Sequence, residues 1–278
     1  MTHRKYLKKK KKIVLKVGTS LLTYDNGNMN LQRMERLVRA MADLHNSGKE
    51  LILVSSGAVG MGVGMLGLEE KPGDLVTKQA LAAIGQAGLI RLYQKFFDEY
   101  HKTVAQVLLT KDGIENTVRR RNARNTLFRL INMGIIPVVN ENDTVSTDEM
   151  EFGDNDTLSA AVATLVHADL LMILTDTDGV FTSDPHQNQS ARKVPKVMKA
   201  SDDLKDVEVF GSSKMGSGGM ASKVTAAELC REHNIDVVIA DGTDPSNILD
   251  VLEGKDVGTF FVSEATQAGT KKVIQVER

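Results

Sequence analysis

The 278-residue chain has one cysteine and no tryptophan, and aromatic residues make up only 4% of it. The single thiol, Cys230, excludes an internal disulfide framework and suits a reducing cytoplasm. It falls in the helix-like stretch "ASKVTAAELCREH", where a buried structural thiol and a reactive one are the two readings. The six histidines are scattered, with no i, i+4 pair and no neighbouring cysteine, which argues against a structural zinc site. No apolar run approaches the roughly 18–20 residues that span a bilayer, and no signal-like apolar core follows the basic N-terminus. No membrane partner is therefore expected. Charge of one sign is missing too: 35 Lys and Arg face 36 Asp and Glu, a net charge of -1. That balance argues against a nucleic-acid partner held by bulk charge. Two nucleotide and metal signatures are also absent. No G-x-x-x-x-G-K-[ST] loop occurs, and "TDTDGVFTSD" lacks the third ligand and closing Glu of a calcium loop.

What is present is alternation. "KIVLKVG" reads as a near-continuous apolar strand of the kind covered on both faces. The helical pattern "NLQRMERLVRAMADLHNSG" follows, with Asn30 as N-cap and Gly48 as C-terminal stop. Strands "ELILVSS", "TVAQVLL", "IIPVVN", "DLLMILT" and "IDVVIA" then alternate with helices, and a strand near "VGTFFV" comes last. This order predicts right-handed crossovers and an α/β fold, a single-domain α/β/α sandwich with a mainly parallel central sheet. Residues 13–278 read as one domain behind a basic N-terminal tail, residues 1–12. The run Lys8 to Lys12 reads as a solvated chain end, with steering of an anionic ligand as the alternative.

Ligands of such folds bind beyond the C-terminal ends of the strands, so the loops there carry the chemistry. "KVGTSLL" puts Lys16 inside an apolar strand, costly unless its ammonium meets an anion or snorkels to solvent from an edge. "VSSGAVGMGVGMLG" contains Gly62, Gly64 and Gly67 in the dinucleotide spacing, but they start six residues past Ser56 rather than in the turn. The better reading makes Ser56-Gly57-Ala58 an anion-facing turn and the later glycines a close helix contact; a purely structural glycine-rich helix remains open. "LTDTDGVFTSDP" suits a nucleotide or a surface turn. "GSGGMASK" is a glycine-rich helix entry with Lys223 one turn inside, a second anion site facing Lys16.

"NENDTVSTDEMEFGDNDTLSA", residues 140–160, packs seven carboxylates into a span without Lys or Arg. Its clusters "NEND" and "GDND" suit a ligand bearing an ammonium, which carboxylates and amide oxygens accept, and a carboxylate, which amide nitrogens grip. A metal cage and a solvated loop are the alternatives, the second favoured for Asp148, Glu149 and Glu151.

In this order, "KVGTS", "VSSGAVG", "NENDTVS", "GDNDTLSA", "LTDTDGVFTSDP" and "SGGMASK" resemble the amino acid kinase family over about residues 13–262. The pairing of "NEND" with "GDND" resembles its members that phosphorylate free L-glutamate on the side-chain carboxylate, the first step of proline synthesis. The resemblance implies ATP as donor, Mg²⁺ carried by the nucleotide, a cytoplasmic homo-oligomer (dimer or tetramer), and proline as feedback inhibitor. It implies that Lys16 and Lys223 hold the transferring phosphoryl group and that Asp156 orients them. Ser56, Asp143 and Asn155 would bind glutamate. Lys16, Thr175, Asp176 and the run Ser217, Gly218, Gly219, Met220, Ala221, Ser222 and Lys223 would contact the nucleotide. Family members usually have Thr where Ser217 stands, and many carry a further C-terminal PUA-type domain that this chain does not reach. An acetylglutamate kinase-like activity is the nearest alternative, and a dinucleotide oxidoreductase the remote one.

Overall fold

A computed structural model of the chain describes residues 3–24, 28–69, 72–146, 154–185, 187–205, 207 and 219–268. Its strands are β1 (Lys12–Val17), β2 (Glu50–Ser55), β3 (Val104–Leu109), β4 (Ile136–Glu141), β5 (Leu170–Thr175), β6 (Lys196–Val197), β7 (Asp236–Asp241) and β8 (Thr259–Phe261). They form one sheet in the order β3-β4-β2-β1-β5-β7-β8-β6, parallel throughout except where β8 runs against β7. The mainly parallel α/β sheet expected from the alternation is present.

The helices are α1 (Thr19–Leu22), α2 (Leu31–Asn46), α3 (Ala58–Leu66), α4 (Leu75–Asp98), α5 (Lys111–Glu115), α6 (Thr117–Asn132), α7 (Asn155–Val166), α8 (Ala200–Asp203), α9 (Met220–Glu232) and α10 (Asn247–Glu253). Side-chain caps start several of them: Asn30 accepts from Arg33 N, Asp74 from Thr77 N, Asn116 from Val118 N and Arg119 N, and Asp154 from Thr157 N. Two hydrophobic cores lie on opposite faces of the sheet. Ile13, Leu15 and Val17 of β1 join the core with residues of α2, α4 and α10, whereas Val14 joins the core with residues of α6, α7 and α9. Successive strand residues point to opposite faces, so Lys16 belongs to the α7 and α9 side.

The glycine-rich stretch after β2 is helical, which corrects the dinucleotide alternative. Gly62 and Gly64 lie inside α3, and Gly67 ends it in the left-handed conformation at φ 63°. A Cβ on Gly62 would overlap the Leu81 carbonyl of α4, and one on Gly85 would overlap the Ala58 carbonyl and Gly62 nitrogen of α3. These glycines let two helices cross backbone to backbone.

The basic N-terminus departs from a solvated tail. Residues His3–Lys9 form a 3-10 helix with Leu7 fully buried. The Arg4 guanidinium donates to the carbonyls of Val257, Pro195, Gly258 and Lys255 at 2.6, 2.8, 2.8 and 3.4 Å. Lys8, Lys9 and Lys11 are exposed, as a solvated run requires. Lys10 is not: its ammonium meets the buried Asp236 carboxylate at 2.6 Å. Lys12 opens β1, donates to the Val166 carbonyl at 3.0 Å and lies 4.5 Å from the Phe128 ring centroid. The run is amphipathic, and its inward lysines find acceptors that composition does not reveal.

Removing the Arg4 guanidinium strands backbone acceptors that have no other donor of equal charge. Arg4→Ala is expected to lower the unfolding free energy by about 2–4 kcal/mol. Urea unfolding with an unchanged m-value measures it, and an unmoved midpoint would show the segment to be dispensable.

Candidate active site

The site is built from the C-terminal ends of neighbouring parallel strands and the first turns of α3, α7 and α9. Lys16, on β1, is buried, and its ammonium lies 2.6 Å from Asp156 Oδ1. Lys223, also buried, comes from α9 and reaches Asp156 Oδ2 at 3.1 Å. The Ser222 hydroxyl donates to the same oxygen at 3.0 Å. Asp156 is fully buried in the first turn of α7. Two ammonium groups, distant in sequence, therefore share one carboxylate, and Asp154 adds a second negative charge that acts on Lys16.

Electrostatics follow from this packing. Burial pulls the Lys16 pKa below its ordinary value; Asp156 works in the other direction, and Lys223 adds to the lowering. Burial pushes the Asp156 carboxyl up, but Lys16 and Lys223 together outweigh it and hold the group below the usual carboxylate range. A carboxylate with a lowered pKa contributes stability above its unfolded value of 3.8, and loses it as pH falls through the folded value.

A second cluster begins one residue away. Asn155 Nδ2 donates to Ser56 Oγ at 2.8 Å and to Asn140 Oδ1 at 2.9 Å. Asn140 Nδ2 in turn donates to Gln86 Oε1 of α4 at 2.9 Å. Ser56 stands in the turn expected for it, because Gly57 adopts φ 107° and α3 starts at Ala58. The loop after β4 is tied down: Ser146 Oγ donates to Glu141 Oε1, and Gln79 Nε2 to the Ser146 carbonyl, both at 2.9 Å. Asp143 sits half-buried inside that loop, two residues beyond the strand.

Thr175 ends β5, one step past the row that pairs Val17 with Leu174. Its hydroxyl donates to Asp176 Oδ1 at 3.1 Å, and Asp176 itself is exposed. Asp178 of the same motif has a structural task, accepting from Gly258 N at 2.7 Å and pairing with Lys193 at 2.7 Å. Gly219 precedes α9, whose start has no side-chain cap, as at α3. Met220 is buried and Ala221 exposed. Ser217 and Gly218 lie outside the described residues, as do Asp148, Glu149 and Glu151. Cys230 is fully buried, and burial pushes its thiol up to about 12, so the inert reading holds.

Residues 11–241 match the Amino acid kinase family. The chain belongs to this family. The glutamate 5-kinase of Clostridium perfringens (strain 13 / Type A) is 49% identical over 265 residues, covering 94% of this chain and 98% of that protein. The glutamate 5-kinase of Caldanaerobacter subterraneus subsp. tengcongensis is 48% identical over 94% of this chain, but over 70% of its own length. Among solved structures, carbamate kinase from Giardia lamblia bound to AMP-PNP superposes with a TM-score of 0.64 at 17% identity, over 92% of this chain and 100% of that one. UMP kinase from Bacillus anthracis gives 0.62 at 19%, over 92% and 97%. At these identities the two structures speak to the amino acid kinase fold alone.

Asn140 opens the "NEND" cluster read from the sequence, whereas Gln86, bonded to it, was not singled out there. Gln86 had a readable signal: it interrupts the buried face of α4 formed by Leu81, Ala82, Gly85, Leu89 and Tyr93.

If Lys16 acts as a cation toward the phosphoryl group, activity is expected to fall as pH rises through its lowered pKa. In Asp156→Asn the negative charge that raises that pKa is gone. The alkaline limb of the kcat profile is expected to move to lower pH than in the unmodified enzyme. Coincident limbs in the two proteins would remove Asp156 from this role.

Proposed function

We propose that the chain transfers the γ-phosphoryl group of ATP to the side-chain carboxylate of L-glutamate, as a glutamate 5-kinase. The observation that carries this is the convergence of Lys16 and Lys223 on Asp156, with Asn155, the adjacent residue, bonded to Ser56 in a neighbouring polar subsite. The glutamate 5-kinase relatives support the choice of substrate.

The nucleophile needs no base. A side-chain carboxylate with an ordinary pKa near 4.3 is ionised at neutral pH. The barrier is the approach of an anion to a polyanion, so the protein acts by positioning and charge neutralisation. Lys16 and Lys223 face the transferring group, and Asp156 keeps their two ammoniums together. The first turn of α9 offers backbone N–H groups free of a side-chain cap to the phosphates. Thr175 and Asp176, together with residues 219–223, bound the nucleotide. The carboxylate oxygen bonds to the γ-phosphorus as the bridge to ADP breaks.

The two converging ammonium groups and the start of α9, where Gly219 supplies no side-chain cap, fit a nucleotide triphosphate. Among the described residues no group of three His, Cys, Asp or Glu is arranged to hold a metal ion. Mg²⁺ would come with the nucleotide and supply charge neutralisation at its phosphates. Ser56, Asn155 and Asp143 hold the amino-acid end, the hydroxyl toward the α-carboxylate and the amide oxygen and carboxylate toward the ammonium. Proline, which also carries an α-carboxylate and an ammonium, fits the same subsite as a feedback inhibitor, and a dimer or tetramer is the expected assembly.

ATP and L-glutamate in hydroxylamine should yield a hydroxamate, trapped from the acyl phosphate. N-acetylglutamate should be a poor substrate, because its amine carries no charge for Asp143 and Asn155 to accept. Better turnover of the acetylated compound would overturn the substrate and leave the kinase. Lys16→Ala and Lys223→Ala should each lower kcat at least ~10²-fold, by analogy with loss of an oxyanion donor; full turnover in either removes that lysine from the mechanism. Asp143→Asn should raise the KM for glutamate about 10-fold, with a smaller effect on kcat, since an ammonium contact exists in ground and transition states alike. A pure kcat defect contradicts the binding role.

A further inference from the structure

We propose that Gln86 is a positioning residue for the amino-acid subsite, setting the direction of its hydrogen bonds through Asn140. The inference rests on the reading of Ser56 and Asn155 as substrate-binding groups. Gln86 lies on α4, 7% exposed, remote in sequence from every motif that marks the site.

The argument is one of donors and acceptors. A primary amide has two N–H donors on one side and an acceptor oxygen on the other. Both bonds from Asn155 Nδ2 are in use, to Ser56 Oγ and Asn140 Oδ1. That leaves Asn155 Oδ1 as an acceptor for a ligand ammonium. Because Ser56 Oγ is accepting, its own hydrogen is free to donate to a ligand carboxylate. This polarity holds only while Asn140 presents its oxygen to Asn155, and therefore its nitrogen to Gln86 Oε1. Turning the Gln86 amide over would put a donor against a donor. Asn140 would reverse to answer it, and Asn155 would then offer N–H groups to an ammonium.

Two further observations support a dedicated role. Gln86 Nε2 is buried with no hydrogen-bond partner among the described residues, so the fold tolerates an unmet donor while keeping Oε1 on Asn140. Gly85, the preceding residue, packs directly on the first turn of α3, beside Ser56. The helix bearing Gln86 is thus held against the turn bearing Ser56 without a side chain between them, and the two ends of the relay cannot drift apart.

Gln86→Met keeps the length and apolar volume but removes the acceptor. It is expected to raise the KM for L-glutamate about 10-fold, with the KM for ATP within about twofold and thermal unfolding little changed. Gln86→Glu, which restores an oxygen to Asn140 Nδ2, is expected to return the glutamate KM to within about threefold of the starting value. Equal loss toward both substrates, or failure of Gln86→Glu to rescue, would reduce Gln86 to a packing residue and overturn the proposal. Ser56→Ala separates the levels. If it leaves the glutamate KM unchanged, the subsite reading fails and this inference with it. If it raises that KM while Gln86→Met does not, the inference alone is wrong.

Discussion

One buried carboxylate organises the reaction centre. Asp156 is fully desolvated and meets two ammonium groups and a hydroxyl. A lone buried charge would be expensive, and a buried pair often no more than breaks even. Here one carboxylate is shared by two cations, so Asp156 makes the burial of both Lys16 and Lys223 tolerable; on the proposed reading the two ammonium groups also meet the transferring phosphoryl group. Its place in the first turn of α7 adds the favourable end of the helix dipole to the anion's side.

On the proposed reading, the neighbouring residue turns this charge arrangement into a two-substrate site. Consecutive helix residues project about 100° apart, so Asn155 and Asp156 cannot face the same way. Asn155 reaches Ser56 beyond β2, whereas Asp156 reaches Lys16 on β1 and Lys223 on α9. A single helix start therefore separates the Ser56 cluster from the lysine pair, which on the proposed reading are the amino-acid and phosphoryl ends. Rigid positioning of this kind supplies much of the acceleration when no acid-base chemistry is needed.

The sheet, its parallel sense and the lysine pair were legible in the sequence because each leaves a local trace. Lys16 stands out against apolar neighbours, and Lys223 follows a run of glycines at a helix start. Asn30 and Gly48 mark a helix whose cap bond to Arg33 N is present. Asn140 stands within the acid-amide cluster "NEND", and Gln86 shows only as a polar break in a buried helix face; that the two bond across fifty-four positions depends on tertiary contact and leaves no spacing to read. The N-terminal segment failed for the opposite reason. Its composition is that of a solvated end, and only the buried partner Asp236, with the carbonyls near Gly258, makes it part of the fold. Short elements such as β6, α5 and α8 carry too few residues for any period to register.

The glycines show how a correct spacing can carry a wrong chemistry. Gly62, Gly64 and Gly67 fit a dinucleotide fingerprint, yet that motif works only in a strand-to-helix turn, where backbone N–H groups meet a pyrophosphate. Here the turn is occupied by Gly57 with its positive φ, and Gly62 is already one helical turn inside α3. The constraint on Gly62 comes instead from α4: any side chain would strike the Leu81 carbonyl, while Gly85 answers from the other helix. A displacement of even a methyl's width between α3 and α4 would separate Ser56 from Gln86, and the relay between them spans hydrogen bonds of 2.8 and 2.9 Å with little tolerance. The glycines thus close the helix crossing on which the geometry of the proposed amino-acid subsite rests.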